Sequence, residues 1–389
     1  MKKKAIVLGC GLVGSAMARD LAADANFDTT VADVSEINLS RVGGVANLRT
    51  VRADLSGVEN LRRILEPFDI VIGAMPSTLG FQTLRTAIEC GKPLCDISFM
   101  IEDPTELDAL AKERGVTVIF DCGVAPGLAN MVIGHCASQL NETHDVAYYV
   151  GGLPRTRSWP YEYKAPFAPS DVIEEYTRPA RMVEDGRVVV KPALSEPELM
   201  DFPRIGTLEA FNTDGLRTLL HTVKARNMKE KTLRYPGHCE LMRVFRETGF
   251  FRKDEIDVRG RAVRPLDVMS KLLFEKWRLE PREEEFTILR VLVSGPSDGR
   301  HARYQYDLFD EYDAQTGIHS MARTTGFPNT IMARMIMQGE FSKAGVFPPE
   351  KIGAEPGMLD RMIRELEAKG VRIAGRVESS AVGPVRPGH

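Results

Sequence analysis

A doubly wound parallel α/β sheet joined to a second, mixed α/β domain is the fold class this 389-residue sequence predicts. Three observations point there. A β-branched run near the start breaks into a glycine turn and then an apolar helical pattern. Short apolar runs and helical patterns alternate as far as Phe120. Past Gly127 the texture changes to longer β-rich segments with hairpin turns.

The first element, "KAIVLGCGLVGSAMARDLA", holds Gly9, Gly11 and Gly14 at GxGxxG spacing. The first glycine makes the turn, the second admits a pyrophosphate to the backbone, and the third lets helix and strand pack closely. Leu12 and Val13 open the helix, whose unpaired N–H groups and positive dipole end suit phosphates. A second strand, Thr29 to Ala32, ends in Asp33, about 20 residues past the fingerprint, where an acid takes the ribose hydroxyls. A carboxylate there repels a 2′-phosphate, so the expected cofactor is NAD; Arg41 is the one nearby residue that favours NADP. Further strands are expected at Leu48 to Arg52 (followed by Asp54 and Leu55), Asp69 to Gly73, Pro93 to Ile97 and Val116 to Phe120. Helices are expected at Phe81 to Cys90 and Glu106 to Arg114. In such sheets ligands lie beyond the carboxyl ends of the strands. That places Gly73, Ala74, Met75 and Pro76 beside a cofactor, with Asp96 and Asp121 at the ends of the next two strands.

The domain reading follows. Residues 1–123 form a Rossmann domain for NAD, completed by helices within 326–374. Residues 124–325 form an α/β substrate and dimerisation domain, and 375–389 a mobile tail. In the second domain "DVAYYVGGLP" reads as a strand, "ARMVEDGRVVVKP" as a hairpin turning at Asp185–Gly186, and Pro265 to Trp277 as a single helix. The stretch from Phe286 to Gly326 reads as three successive strands.

Bulk properties exclude several classes. With 43% apolar and 27% charged residues, net charge −3 and pI near 6.2, the chain offers no electrostatic reason for nucleic acid or an anionic membrane as partner. The run Ala5 to Leu8 is too short for a signal peptide, and nothing approaches a membrane span. Six cysteines show neither a CxxC pair nor companion histidines at metal-ligand spacing. They read as reduced thiols of a cytoplasmic protein without a metal centre.

The motifs "VIGAMPS", "CDISFM", "FDCGVAPGLAN", "YVGGLP", "EEYTRPAR", "LSEPE", "EAFNTDGLRT" and "LRYPGHCE", in that order after the glycine fingerprint, resemble the saccharopine dehydrogenase superfamily. Within it they look most like the lysine 6-dehydrogenase branch. The resemblance implies a homodimer and NAD-dependent oxidative deamination of the L-lysine side chain to the cyclising semialdehyde, with release of ammonia. Enzymes acting on saccharopine typically carry Asp before the loop proline; here that position is Ala125.

That chemistry demands a neutral amine, since an ammonium has no lone pair to stabilise the forming iminium. A lysine amine has a pKa of about 10.4, so a base or a desolvating site is required. Asp121 or Asp96 is expected to orient the amine and take its proton, with His238 as the alternative base. Arg234 is placed to clasp the α-carboxylate, and Tyr163 and Lys164 lie in a lid-like segment. Two rivals remain: a dehydrogenase for saccharopine or another amino acid or polyamine, and a non-catalytic dinucleotide-binding protein on the same fold.

Overall fold

The computed structural model describes residues 2–381. Six short strands, Lys3–Leu8 (β1), Phe27–Asp33 (β2), Leu48–Arg52 (β3), Ile70–Gly73 (β4), Leu94–Asp96 (β5) and Thr117–Ile119 (β6), alternate with helices. Next come Thr143–Pro154 (β7), Ala180–Glu184 (β8), Arg187–Lys191 (β9), Glu198–Phe202 (β10), Gly206–Asn212 (β11) and Ala225–Arg234 (β12). A small hairpin, Ile256–Val258 (β13) and Arg261–Val263 (β14), precedes Glu285–Ser297 (β15), Arg300–Glu311 (β16), Gly345–Phe347 (β17) and Ile373–Ala381 (β18).

The first sheet is parallel throughout, in the order β17-β6-β5-β4-β1-β2-β3. Ala5 to Leu8 and Ile70 to Ile72 are fully buried, as apolar runs must be when helices cover both faces. Strand order reverses between β1 and β4, which opens the crevice where dinucleotides lie in such sheets. The seventh strand, β17, arrives from far downstream and pairs Val346 with Val118. Helix Ser320–Met337 lies against helix Leu12–Ala22, so close that a Cβ on Gly326 would stand 3.0 Å from Met17 Cγ. Arg334 on that helix pairs with Asp20 at 2.7 Å and Asp24 at 2.9 Å.

The second sheet is mixed, in the order β10-β11-β12-β7-β15-β16-β18, with β8 attached to β12 and β9 to β8. β12 runs parallel to β7, while β15 is antiparallel to it. The β8–β9 hairpin turns at Asp185 and Gly186, both at positive φ, as a tight two-residue turn requires.

Three expectations for this half need correction. The third strand after β16 is instead the start of helix Ser320–Met337. Buried Glu285 accepts the backbone N–H groups of Ser320 and Met321, and a distant carboxylate thereby caps a helix that local β-propensity argued against. Two more helices, Pro169–Thr177 and His238–Thr248, stand beside Pro265–Lys276. The tail from 375 is ordered as far as Ala381. β18 zips onto the free edge of β16, with Gly375 set where a Cβ would meet the Tyr306 ring at 2.6 Å. Residues 382–389 of that tail lie outside the described residues. Among the described residues no helix is long and apolar enough to cross a membrane, and no group of His, Cys, Asp and Glu is placed to hold a metal ion.

Candidate active site

One cavity of about 630 Å³ runs from the glycine turn, past the carboxyl ends of the first sheet, to the face of β12. Its first end is built from backbone. Gly9 has φ +97°, and a Cβ on it would lie 2.4 Å from the Ala74 carbonyl oxygen. A Cβ on Gly14 would lie 2.1 Å from the Gly9 carbonyl oxygen. Gly11 differs: a Cβ there would point into open space, on the cavity side, at the N-cap of a helix that no side chain caps. That combination, an open cradle at an unsatisfied helix N-terminus, fits a pyrophosphate. Asp33 lines the same end. Its Oδ2 accepts the Cys10 N–H at 2.7 Å and its Oδ1 the Ser35 N–H at 2.7 Å, which hold the carboxylate at the rim. Leu12, Val13, Asp54, Leu55, Ala74, Met75 and Pro76 also line the cavity.

Gly73 does not. Its missing side chain makes room for Asp96, whose Oδ2 would stand 1.9 Å from a Cβ at that position. Asp96 itself is fully buried behind the wall, with Oδ1 accepting the Ser98 N–H at 2.7 Å and Oδ2 the Ser98 hydroxyl at 3.0 Å. Burial, together with the nearby Asp121 charge, pushes it up to about 7. Asp121 is likewise off the wall. Arg217 grips it with two bonds, Nε to Oδ2 at 2.9 Å and a terminal nitrogen to Oδ1 at 3.3 Å, and both side chains are buried. Arg217 also donates to the Met100 carbonyl at 2.8 Å and lies over the Phe99 ring. The strand ends are where the sequence puts them, but both carboxylates are spent on holding chain.

His238 is no free base either. Nδ1 lies 2.9 Å from the Tyr161 carbonyl, which can only accept, so that nitrogen carries the proton. Nε2 then accepts the Tyr176 hydroxyl at 2.9 Å. Burial and the nearby Arg234 charge push the imidazole down to about 3. Tyr163 is buried with its ring under the Arg234 guanidinium, 4.4 Å from its centre, and Lys164 reaches away to the Arg278 carbonyl at 3.1 Å. Neither forms a lid over the cavity.

Arg234 does line the cavity, together with Glu230 and Thr232, because alternate residues of β12 share one face. Facing them, Asp171, Glu174, Glu175 and Arg178 line the wall from helix Pro169–Thr177 and its C-cap, at helical spacing, while Val172, Ile173 and Tyr176 bury the opposite stripe. Thr213 and Asp214 complete this end. Sequence reasoning named only Arg234 among these. The available signal was the i, i+3, i+4, i+7 polar face of "DVIEEYTR" and the period-two face of "EKTLR".

The wall is acidic. It carries five carboxyl groups, Asp171, Glu174, Glu175, Asp214 and Glu230, against two guanidinium groups, Arg178 and Arg234. Asp214 is matched from outside by a bidentate Arg181, both bonds 2.9 Å. Glu175 engages Arg234 at 2.7 Å. The Arg234 fork is further occupied by the Tyr176 hydroxyl at 3.3 Å and the Leu233 carbonyl at 3.0 Å. Burial raises Asp171, which reaches across to the Ser77 hydroxyl at 3.3 Å. Arg178 is the less committed cation, partly exposed, over the Phe99 ring and 3.8 Å from Glu174.

Comparison with known proteins agrees with this architecture. The family described as "Saccharopine dehydrogenase NADP binding domain" matches residues 5–119, and "Saccharopine dehydrogenase C-terminal domain" matches residues 123–371. The mitochondrial alpha-aminoadipic semialdehyde synthase of Mus musculus is 23% identical over 90% of this chain and 45% of its own length; the chain thus spans about half of that relative. Carboxyaminopropylagmatine dehydrogenase from Synechocystis is 22% identical, covering 91% of this chain and 94% of that protein. In structure, the apo saccharopine dehydrogenase (L-Glu forming) of Saccharomyces cerevisiae superposes with a TM-score of 0.80 at 19% identity, over 97% of this chain and all of that one. Fold, paired domains and the matched family descriptions together make this chain a member of the saccharopine dehydrogenase family.

Proposed function

We propose that the chain is an NAD-linked dehydrogenase acting on the terminal amine of L-lysine, yielding the semialdehyde and ammonia. The observation that carries this reading is the continuity of one cavity from a phosphate cradle to an acid-rich wall. Glu174, Glu175 and Asp214 are matched by Lys253, Arg234 and Arg181, whereas Asp171 and Glu230 have no cation paired with them among the described residues. Two carboxyls left for a ligand and a single less committed guanidinium, Arg178, suit a substrate that arrives as a cation and disfavour saccharopine, which brings three carboxylates. Ala125, in the wall itself, adds no charge where saccharopine enzymes resemble one another in carrying Asp.

Bound NAD would supply the hydride acceptor. Gly9, Gly11, Gly14 and the helix N-terminus would hold its pyrophosphate, and Asp33 the adenosine ribose. The Asp33 carboxylate at the rim disfavours a 2′-phosphate, and Arg41, the residue that argued for one, is exposed and outside the cavity wall. Arg178 takes the α-carboxylate in this reading, because the Arg234 fork is already committed to Glu175, Tyr176 and the backbone. Arg234 then organises the wall. The stoichiometry is one lysine ammonium, one NAD and one water giving semialdehyde, NADH, ammonium and one proton. Exposed Val188, Val190 and Leu199 on strands of the second sheet support a homodimer, which equilibrium sedimentation tests.

NADH absorbance with L-lysine, saccharopine, ornithine and 1,5-diaminopentane, each offered NAD and NADP, tests the whole. The expected result is fastest reduction with L-lysine and NAD. Faster turnover of saccharopine, or a clear preference for NADP, overturns the assignment.

A further inference from the structure

With Asp96, Asp121 and His238 out of reach, the proton that must leave the amine needs another acceptor. Glu230 sits mid-strand on the cavity face of β12, 3% exposed, where a carboxyl is costly unless something holds it. What holds it is a built niche. Its Oε2 accepts the Thr213 hydroxyl at 2.6 Å and the Gly215 N–H at 3.0 Å, and Thr213 is itself 2.8 Å from the Thr232 hydroxyl. Gly215 is small for this purpose, since a Cβ there would lie 2.6 Å from the Glu230 carboxyl carbon. Oε1 takes no hydrogen bond from the described residues, which leaves one carboxylate oxygen for a ligand.

We propose that Glu230 is the catalytic base for the amine, holding the ammonium at Oε1 and accepting one of its protons. The proposal rests on the amine-dehydrogenase reading above. In the step, one N–H bond of the ammonium breaks and its electron pair stays on nitrogen. An O–H bond forms on Glu230, giving a neutral amine and a neutral carboxylic acid. That proton is the one released in the overall stoichiometry. Thr213 and Gly215 act as positioning groups.

The surroundings suit the role. Glu175 from the facing helix and Asp214 from the adjoining loop press negative charge on Glu230, and the buried Tyr148 lies near it from β7. Arg234, four residues along the same strand, is turned to Glu175. Burial first, then Glu175 and Asp214, push Glu230 up to about 8 against the pull of Thr213 and Gly215. The free site is therefore mostly protonated at neutral pH, and an arriving ammonium drives that proton off before the carboxylate acts as base.

Calorimetry on the NADH complex, where no turnover occurs, reads this directly. L-lysine and 1,5-diaminopentane are titrated at pH 7 in buffers of different ionisation heat. The expected release is close to one proton per amine bound in the unsubstituted protein and about none in Glu230→Gln, with NADH affinity unchanged. In turnover, Glu230→Gln should lose at least about 100-fold in kcat, with part regained in Glu230→Asp. Thr213→Val, which removes one donor to the carboxylate, should move the acid limb of the kcat profile to higher pH. Equal proton release in Glu230→Gln, near-normal kcat in that variant, or binding of neither amine overturns the proposal. Proton release without NAD reduction by L-lysine would remove the lysine assignment and leave Glu230 as the amine's partner.

Discussion

The two ends of the cavity are made of different material. The dinucleotide end is backbone: glycines, a helix N-terminus, and one acid at a strand end. The far end is side chain: carboxyls and guanidinium groups delivered by β12, a helix some 55 residues earlier, and the loop between β11 and β12. A phosphate can be held by groups every residue possesses, provided the chain turns correctly, so that end has a fixed local pattern. Recognition of an amine needs charge placed in three dimensions. Several distant segments must then agree on one point, and each can change without disturbing the fold.

The sharpest way to break this contrast is at the glycines. Gly14→Ala forces a Cβ to 2.1 Å from a carbonyl oxygen, so helix and turn must move apart. We expect loss of NADH binding, followed by fluorescence titration, and a stability loss of about 1–3 kcal/mol or more. Gly11→Ala meets nothing in the protein. It should leave the urea midpoint in place and weaken NADH alone. A Gly11 variant that unfolds, or a Gly14 variant that binds normally, would dissolve the distinction between packing glycine and ligand glycine.

Asp121 separates anchoring from chemistry. In the structure its replacement by Asn leaves the buried Arg217 without its counter-charge, an effect of about 3–5 kcal/mol in buried pairs. The expected outcome is a large drop in the urea midpoint with the KM for amine little changed at permissive temperature. A stable Asp121→Asn protein that has lost turnover would return Asp121 to the mechanism.

The smallest expected effect is at Arg178, which is partly exposed and buries no partner. Losing a charge-assisted bond worth about 1.5–3 kcal/mol should raise KM for L-lysine by about 10- to 100-fold with kcat and stability nearly unchanged. The same substitution should hardly affect 1,5-diaminopentane, which has no carboxylate. Equal losses on both substrates would assign Arg178 to the wall rather than to the carboxylate.

Legibility in the sequence follows the same division. The placement of Gly9, Gly11, Gly14 and Asp33 at one end of the cavity was readable because it depends on neighbours within about one strand and one turn. Asp96 and Asp121 were readable as strand-end acids, but not as anchors. Ser98 sits in the same loop as Asp96, whereas Arg217 comes from 96 residues beyond Asp121. His238 looked available because an isolated imidazole titrates near neutrality. Only the Tyr161 carbonyl and Tyr176 hydroxyl, from other segments, fill both of its nitrogens. Glu230 was hidden inside a strand between two lysines, where an acid ordinarily faces water.

By itself, then, the sequence determined a parallel sheet with a glycine turn after its first strand, a β-rich second half and an acid at the end of the second strand. Each follows from backbone conformation and side-chain period over short stretches. Tertiary structure alone decided which carboxyls point into the cavity, which are neutralised, and which helix and strand supply them. Those outcomes depend on burial and on partners dozens of residues away, and a chain's local pattern carries neither.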